Sequence, residues 1–227
     1  MDSSSVFADA FLNQAVIDRY LPDILRGMLV TVEVAIAVVV TGIALGLALA
    51  ALRSFRIAPV NAAIVLCVDV FRALPPLVVI LIVYFGLPSV GIRLSGFAVL
   101  WLVLSLVLAA FAEEIFWSGI LSIRKGQWEA ARSTGLGFLQ TLTWVILPQA
   151  VRMTVPPLTN RTIAITKNTA LGAVIGVPEI LMQAQTAQSF SGNPTPLLMG
   201  AVAYLVLFVP VVALGRWLET RFAWGRS

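Results

Sequence analysis

Long apolar runs separated by short polar segments make up most of the chain, and this alternation predicts membrane-spanning helices. A helix needs about 20 mainly apolar residues to cross the hydrocarbon core of a bilayer. Five stretches reach that length, at about 28–52, 60–87, 97–117, 149–171 and 196–217. We therefore expect an all-α integral membrane protein with five transmembrane helices.

Local features modify this pattern at two places before residue 90. Pro75 and Pro76 interrupt the second stretch, because proline has no backbone N–H to continue a helix. In the first stretch Gly42 and Gly46 are four residues apart, a spacing that favours close packing of another helix. The segment from residue 1 to about 25 mixes polar and apolar positions. We expect either an amphipathic segment at the membrane surface or, at the very start of the chain, simple disorder.

The composition supports a membrane protein and narrows the chemistry. The 227 residues are 59% hydrophobic and 11% charged, whereas about 25% of residues are charged in soluble domains. Histidine is absent, which excludes His-based triads, His metal sites and the usual proton switch near neutral pH. Cys67 is the single cysteine and cannot form an internal disulfide. We expect no metal site and no cofactor.

Lysine and arginine predict the orientation, because cytoplasmic loops carry an excess of both residues. With five spans, one side of the membrane collects Arg53, Arg56, Arg124, Lys125, Arg132, Arg216, Arg221 and Arg226, and the other has Arg19, Arg26 and Arg93. The basic residues do not cluster with exposed aromatic residues, so nucleic acid is not an expected partner. The N-terminus is predicted to lie outside, and the loop at 124–148 and the C-terminus in the cytoplasm.

A polar stretch at 127–135 predicts a short helix within that loop. Its residues are Gln127, Trp128, Glu129, Ala130, Ala131, Arg132, Ser133, Thr134 and Gly135. We expect Glu129 in the first turn, where a negative charge suits the helix N-terminus. We expect Gly135 just past the end, where glycine adopts the left-handed conformation that other residues resist. The alternative is an ordinary surface loop between two membrane helices.

The fourth apolar stretch carries an unusual polar stripe. Thr159, Thr162, Thr166 and Thr169 are spaced so that one helix would place them on one face, and Asn160 and Lys167 flank them. A stripe with a charge cannot face lipid, so it should face the helix bundle, a partner subunit or water. Two interpretations remain open: the stripe lines a transport path, together with Glu114 on the third stretch, or it only joins helices through hydrogen bonds.

Several short motifs resemble those of one family. Glu129-Ala130-Ala131, Gly135 and Val145-Ile146-Leu147-Pro148 have the spacing of the cytoplasmic coupling loop of ABC importer permeases. Further blocks are similar to permeases of the polar amino acid uptake family, histidine/glutamine permease type: Phe71–Pro75, Tyr84–Pro88, Glu114-Ile115, Gly119-Ile120, Lys125–Glu129, Lys167–Leu171 and Val174–Ile180. Ala73, Leu74, Val79, Glu113 and Trp117 depart from the usual pattern and leave the substrate open.

The resemblance implies a five-helix, type I ABC importer-like fold in one permease domain, 1–227, with a core at 27–222. It implies a subunit that moves a polar amino acid or a related small solute across the bacterial cytoplasmic membrane by alternating access. The expected partners are two ABC ATPase subunits, a second permease subunit, a periplasmic or lipid-anchored solute-binding protein, and membrane lipid. The implied contacts with the ATPase are Gln127, Trp128, Glu129, Ala130, Ala131, Gly135 and Pro148.

Two other functional classes fit the sequence less well. Glu113 and Glu114 could suggest a catalytic carboxylate pair, but neighbours on a helix point about 100° apart and cannot share one substrate. The chain contains no Walker motif, so it is not expected to hydrolyse ATP itself, and no catalytic residue is predicted. An ion-coupled transporter or channel subunit is the stronger alternative, because a polar stripe within a membrane helix also serves those proteins.

Overall fold

A computed structural model describes residues 10–222, and the regular structure in this range is helical. The α-helices are α1 (Gln14–Arg53), α2 (Ala58–Ala73), α3 (Pro76–Gly86), α4 (Gly96–Ser122), α5 (Lys125–Ser133), α6 (Leu147–Lys167), α7 (Ile180–Ser191) and α8 (Thr195–Phe222). Short 3-10 helices cover Leu87–Val90 and Asn168–Ile175, and a helical turn at Phe138–Gln140 continues through a π-helical turn, Thr141–Ile146, into α6. The integral-membrane, all-α prediction is confirmed in the described range.

Within residues 10–222, three helices are long and apolar enough to cross a membrane: α1, α4 and α8. A fourth span is present if α2 and the bent segment after it, Pro76–Val90, count as one. The predicted fourth span corresponds to α6, which is not among these helices. Polar and charged side chains, including Arg152, Arg161 and Lys167, reduce its apolar character. The predicted number of five spans is therefore not confirmed.

The first helix begins earlier than the sequence pattern predicts. From Gln14 onwards the described residues belong to the same continuous helix as the first apolar stretch, even though Pro22 lies within it. The disorder expected at the very start of the chain concerns residues 1–9, which lie outside the described range. From Gln14 onwards the segment is helical, and its place at the membrane surface stays a prediction. Ile24 is 2% exposed and packs with Ile180 and Ala203. This tertiary packing stabilises helical turns that propensity alone would not.

The predicted interruption at Pro75-Pro76 is confirmed. Leu74 follows α2 in an extended conformation, with φ −86° and ψ 136°, because the ring of a following proline disfavours the helical region for the residue before it. Helix α3 then starts at Pro76, where a missing N–H costs nothing because the first N–H groups of a helix have no partner within it.

The chain forms two compact units. One contains the described residues up to Ala37, together with Leu77–Leu102 and Lys167–Val212, and the other contains Val38–Pro76, Val103–Thr166 and the described residues from Ala213. In the first unit Gly27 lies so close to the chain before α7 that a Cβ there would be 3.0 Å from the backbone of Ile180. Nearby, the buried Glu179 side chain accepts a hydrogen bond from the Met182 N–H and caps α7.

The second unit confirms the predicted close packing at Gly42 and Gly46. A Cβ on Gly46 would lie 2.5 Å from the Ala112 Cβ, and one on Gly42 would lie 2.8 Å from the Leu108 Cβ. Helix α1 therefore contacts α4 with almost no intervening side chain. The main core cluster of this unit consists of Ala50, Ala112, Phe116, Ile120, Ile123, Leu142, Ile146 and Ala150. Helix α5 packs against this cluster through Trp128.

Candidate functional site

Helix α5 is the predicted short helix, and one of its faces is anchored in the second unit. Ala131 is 8% exposed, and Trp128 packs against the core cluster. The Trp128 ring stacks on Phe138, with ring centroids 5.6 Å apart. Gln127, Glu129 and Ala130 are exposed. The helix therefore presents a small, mostly polar outer surface while its aromatic side chain holds it against the protein.

The end of α5 is built as predicted. Gly135 has φ +90°, a conformation that is unfavourable for residues with a Cβ. The Gly135 N–H donates to the Arg132 carbonyl, and the Thr134 hydroxyl donates to the Ala131 carbonyl at 2.7 Å. These bonds satisfy carbonyl groups that a helix end leaves without partners. A Cβ built on Gly135 meets nothing within 4 Å, so the requirement for glycine is conformational.

The predicted position of Glu129 is wrong by one turn. Helix α5 begins at Lys125 and has no acidic residue in its first turn. Glu129 instead pairs with Lys125 at 3.1 Å across one turn of the helix. Both side chains are exposed, and such surface pairs contribute little to stability. The helix extends two residues further towards its N-terminus than the polar pattern indicates, so Glu129 cannot act on the N-terminal helix dipole.

Pro148 lies in the first turn of α6, after the π-helical turn, and its side chain is exposed. The Gln149 side-chain amide donates to the Val145 carbonyl at 2.6 Å and lies 3.5 Å from the Gln127 side-chain oxygen. This second contact links the start of α6 to α5. The structure therefore brings the two parts of the predicted coupling motif together, although 13 positions separate Gly135 from Pro148 along the chain.

A buried ion pair ties the end of α1 to α4. The Arg53 guanidinium donates to both carboxylate oxygens of Glu113, at 3.0 and 3.2 Å. The Glu113 side chain is 0% exposed and that of Arg53 is 17% exposed. Arg53 also lies over the Trp117 ring, 4.7 Å from its centroid. Glu113 and Trp117, two of the departures from the family pattern, therefore contact the same arginine.

A second charged cluster involves Glu114, which the sequence assigned to the transport path. Arg72 contacts Glu114 at 3.0 Å. The Phe111 ring lies beneath the Arg161 guanidinium, whose central carbon is 3.7 Å from the ring centroid, and Arg72 approaches the same ring at 5.5 Å. Glu113 and Glu114 thus have different arginine partners, because the side chains of neighbouring residues on a helix point in different directions.

The polar stripe is only partly continuous. Thr159, Asn160, Thr162 and Thr166 lie on α6 in the second unit, whereas Lys167 ends that helix and Thr169 lies in the following 3-10 segment of the first unit. The predicted single helical face therefore stops at Lys167. The hydroxyls of Thr159 and Thr166 donate to the carbonyls of Val155 and Ile163 on their own helix. The Thr162 hydroxyl oxygen is buried and has no hydrogen-bond partner among the described residues.

Sequence reasoning missed Arg53, Arg72 and Arg161 as members of these clusters. The sequence did indicate that these arginines have partners, because an arginine within or beside an apolar span needs a carboxylate, an aromatic ring or water. Their partners are far away in sequence, however: Arg53 and Glu113 are 60 positions apart. Only the packing of α1 on α4 identifies which carboxylate meets which arginine.

The chain matches known proteins over most of its length. Residues 42–224 match the family model described as "Binding-protein-dependent transport system inner membrane component". The chain is 36% identical to the "Probable glutamine ABC transporter permease protein GlnP" of Bacillus subtilis (strain 168), over 86% of this chain and 91% of that protein. It is 37% identical to the "Probable amino-acid ABC transporter permease protein YckA" of the same organism, over 72% and 73%.

A solved structure shows the same fold. "Crystal structure of an amino acid ABC transporter with histidines" contains a chain that superimposes with a TM-score of 0.81 and 30% sequence identity, over 90% of this chain and 96% of that one. The likeness therefore extends over nearly all of both chains.

Proposed function

The chain belongs to the family of binding-protein-dependent transport system inner membrane components, and we propose that it is the membrane subunit of an ABC importer for a polar amino acid or a closely related small solute. The observation that carries the proposal is the near full-length likeness to permeases named for glutamine and amino acids. The amino acid ABC transporter of known structure supports the same substrate class.

Partner subunits complete the transporter. The chain pairs with a second permease subunit, the same or different, and two ATPase subunits bind ATP and hydrolyse it. A periplasmic or lipid-anchored binding protein delivers the solute. ATP binding closes the ATPase subunits, and the membrane helices alternate between inward-open and outward-open states.

The exposed face of α5 is the contact with an ATPase subunit. Gln127, Glu129 and Ala130 supply its outer surface, and Trp128 and Ala131 anchor it in the protein. Gly135 ends the helix, and Pro148 lies in the first turn of α6, the helix that receives the motion. The Lys125–Glu129 pair is exposed and therefore contributes little to the stability of the helix. A Glu129→Lys substitution is thus expected to weaken the contact with the ATPase and to leave the helix itself stable.

The polar face of α6 lines the transport path, and Glu114 with its arginine partner lies beside it. The path residues are Glu114, Thr159, Asn160, Thr162, Thr166, Lys167 and Thr169. Two observations support this role. The Thr162 hydroxyl is buried without a partner among residues 10–222, which is uncommon for a buried polar group. Arg161 is held over an aromatic ring and makes no ion pair within the described residues, so its charge is free to receive a carboxylate.

The proposal is tested by uptake into proteoliposomes that contain the whole transporter. Accumulation of radiolabelled amino acids should require ATP and the binding protein, and should continue when ionophores collapse the proton and sodium gradients. Uptake that follows an ion gradient without ATP would favour the alternative, an ion-coupled transporter or channel subunit.

A cysteine at position 124 tests the orientation. Arg124 is exposed at the start of α5, and the proposal places it in the cytoplasm, with the N-terminus outside. In a Cys67→Ser background, Arg124→Cys should react with a membrane-impermeant maleimide in inside-out vesicles and not in intact spheroplasts. Arg93→Cys, in the exposed segment before α4, serves as the control and should show the opposite pattern. Labelling of Arg124→Cys from outside would reverse the proposed topology.

Replacing Thr162 with valine tests the transport path. Valine keeps the shape and removes a hydroxyl that has no partner in the described structure, so stability should stay the same or increase. If the hydroxyl binds the passing solute, losing that bond should raise KM for uptake by about three- to tenfold. Thr154→Val, which removes a hydroxyl bonded within the same helix and outside the path residues, should leave KM unchanged. Equal kinetics in both variants would leave only helix–helix contact as the role of the stripe.

A further inference from the structure

An open cavity of about 570 Å³ lies beside the inner face of α5. The segment that follows α1, the end of α4, α5 itself and Phe138 form its walls. All of these residues belong to the second unit. The proposed ATPase contact lies on the exposed face of α5 and does not use this cavity.

The charge in the cavity has one sign. Arg56, Lys125 and Arg132 line it, and none of the described residues that line it is acidic. Lys125 pairs with Glu129 on the helix surface. Arg56 and Arg132 make no ion pair within the described part of the chain, so two guanidinium groups remain available to an anion.

The backbone at Arg56 supports a built site. Among the described residues other than glycine, Arg56 alone has a positive φ, at +57°. This conformation costs of order 1–3 kcal/mol and persists where the surrounding structure holds it. Arg56 is the last residue of a turn, and its backbone N–H donates to the Arg53 carbonyl. The turn places Arg56 at the cavity, immediately after the helix that carries the Arg53–Glu113 pair.

Aromatic rings supply the remaining walls. Trp117 and Trp128 line the cavity with Phe138, on which Trp128 stacks. Tryptophan is enriched at the boundary between lipid and water, where one side of a site is apolar and the other wet. A cavity with cations at one part and aromatic rings at another suits a ligand that combines an anionic head with an apolar or uncharged body.

We propose that this cavity binds a phosphate group, held by Arg56 and Arg132. Guanidinium groups bind phosphate oxygens through paired, charge-assisted hydrogen bonds, and basic pockets on the cytoplasmic side of membrane proteins bind anionic lipid headgroups. The phosphate comes either from such a headgroup or from a small soluble phosphate ester. The cytoplasmic location rests on the proposed function, whereas the phosphate chemistry rests on the cavity.

A bound phosphate would connect two segments that are far apart in the sequence. Arg132 lies on α5, and Arg56 lies on the turn after α1. A ligand that bridges them holds α5 against the membrane helices, and transport then depends on the content of anionic lipid or phosphate ester. This provides a form of regulation that does not involve the solute.

Native mass spectrometry on the whole transporter tests the proposal. Complexes are reconstituted in nanodiscs of phosphatidylcholine with 1-palmitoyl-2-oleoyl-phosphatidylglycerol, released into mild detergent, and the retained phosphatidylglycerol is counted. The Arg56→Gln/Arg132→Gln double variant should retain it with about tenfold lower affinity than wild type. Arg124→Gln is the matched control, because Arg124 is a neighbouring exposed cation that does not line the cavity. It should retain phosphatidylglycerol as wild type does.

A second arm distinguishes the sources of the phosphate. In nanodiscs of phosphatidylcholine alone, glycerol 3-phosphate is titrated against wild type and both variants. Binding that the double variant loses identifies a soluble phosphate ester, and retention of phosphatidylglycerol alone identifies the lipid. Equal retention in wild type and the double variant, without glycerol 3-phosphate binding, overturns the proposal. Loss of ATPase subunits from the double variant with unchanged lipid retention also overturns it, because the arginines then serve the ATPase.

These measurements do not depend on transport. If the transporter failed to import an amino acid but retained phosphatidylglycerol through Arg56 and Arg132, the proposed substrate class would fail and the phosphate site would stand.

Discussion

A Gly135→Leu variant is expected to lose at least about 90% of its uptake while the chain still inserts into the membrane. Gly135 has φ +90°, and forcing a residue with a Cβ into such a conformation costs of order 1–3 kcal/mol. Since the Gly135 N–H and the Thr134 hydroxyl both satisfy carbonyls at the end of α5, relief of the strain unwinds the last turn. That turn carries Ala131, which is buried and anchors α5 together with Trp128.

The measurements are co-purification of the ATPase subunits, their ATPase rate, and ATP-driven uptake in proteoliposomes. The expected result is either loss of ATPase subunits or hydrolysis that no longer drives uptake. Gly135→Asn is the matched control, because asparagine tolerates positive φ far better than leucine, and this variant should keep most of the activity. Gly126→Leu adds the same side chain to α5 at a glycine without positive φ. A Gly135→Leu complex that assembles and transports at the wild-type rate would show that α5 is not the proposed contact.

Among the single substitutions proposed here, Arg53→Leu is expected to cause the largest loss of stability, because it breaks the pair with Glu113. Arg53→Leu leaves the Glu113 carboxylate, which is 0% exposed, buried without its partner. Breaking a buried pair in this way costs about 3–5 kcal/mol, a large part of the 5–15 kcal/mol that typically separates folded from unfolded states. Expression and thermal stability in detergent should both fall strongly.

The double variant Arg53→Leu/Glu113→Leu distinguishes a broken pair from lost packing. Replacing both charges with apolar residues of similar size is often neutral or stabilising, so the double variant should recover much of the melting temperature that Arg53→Leu loses. Arg72→Leu is the comparison, because its partner Glu114 is 45% exposed and water can hydrate the carboxylate that remains. Thermal melting of the purified chains measures all three. Equal losses in Arg53→Leu and the double variant would mean that the ion pair itself does not explain the effect.

The sequence alone predicted the elements whose signals are local. Long apolar runs identified the positions of α1, α4 and α8, and Pro75-Pro76 identified the break before α3. Gly135 was predicted to end α5 because few residues besides glycine adopt its conformation readily. These features depend on neighbours within a few positions, so they can be read without a structure.

The ends of the helices and the partners of the charged residues could not be predicted from local sequence signals. Propensity did not indicate that α1 begins as early as Gln14, because burial of Ile24 against Ile180 and Ala203 stabilises that part of the helix. The start of α5 at Lys125 was likewise missed, and Glu129 was placed one turn too early as a result. The polar stripe was predicted as one face, yet α6 ends at Lys167 and Thr169 follows in a 3-10 segment.

By itself, the sequence determined that this is an α-helical membrane protein with a short polar helix between apolar spans, because hydrophobic length, proline and glycine act locally. Only the tertiary structure decided which charges meet: Arg53 with Glu113, and Arg72 with Glu114. The same is true of the cavity beside α5, where Arg56 and Arg132 come from segments far apart in the chain. A buried charge takes the partner that packing brings within a few ångströms, and sequence separation carries no information about that distance.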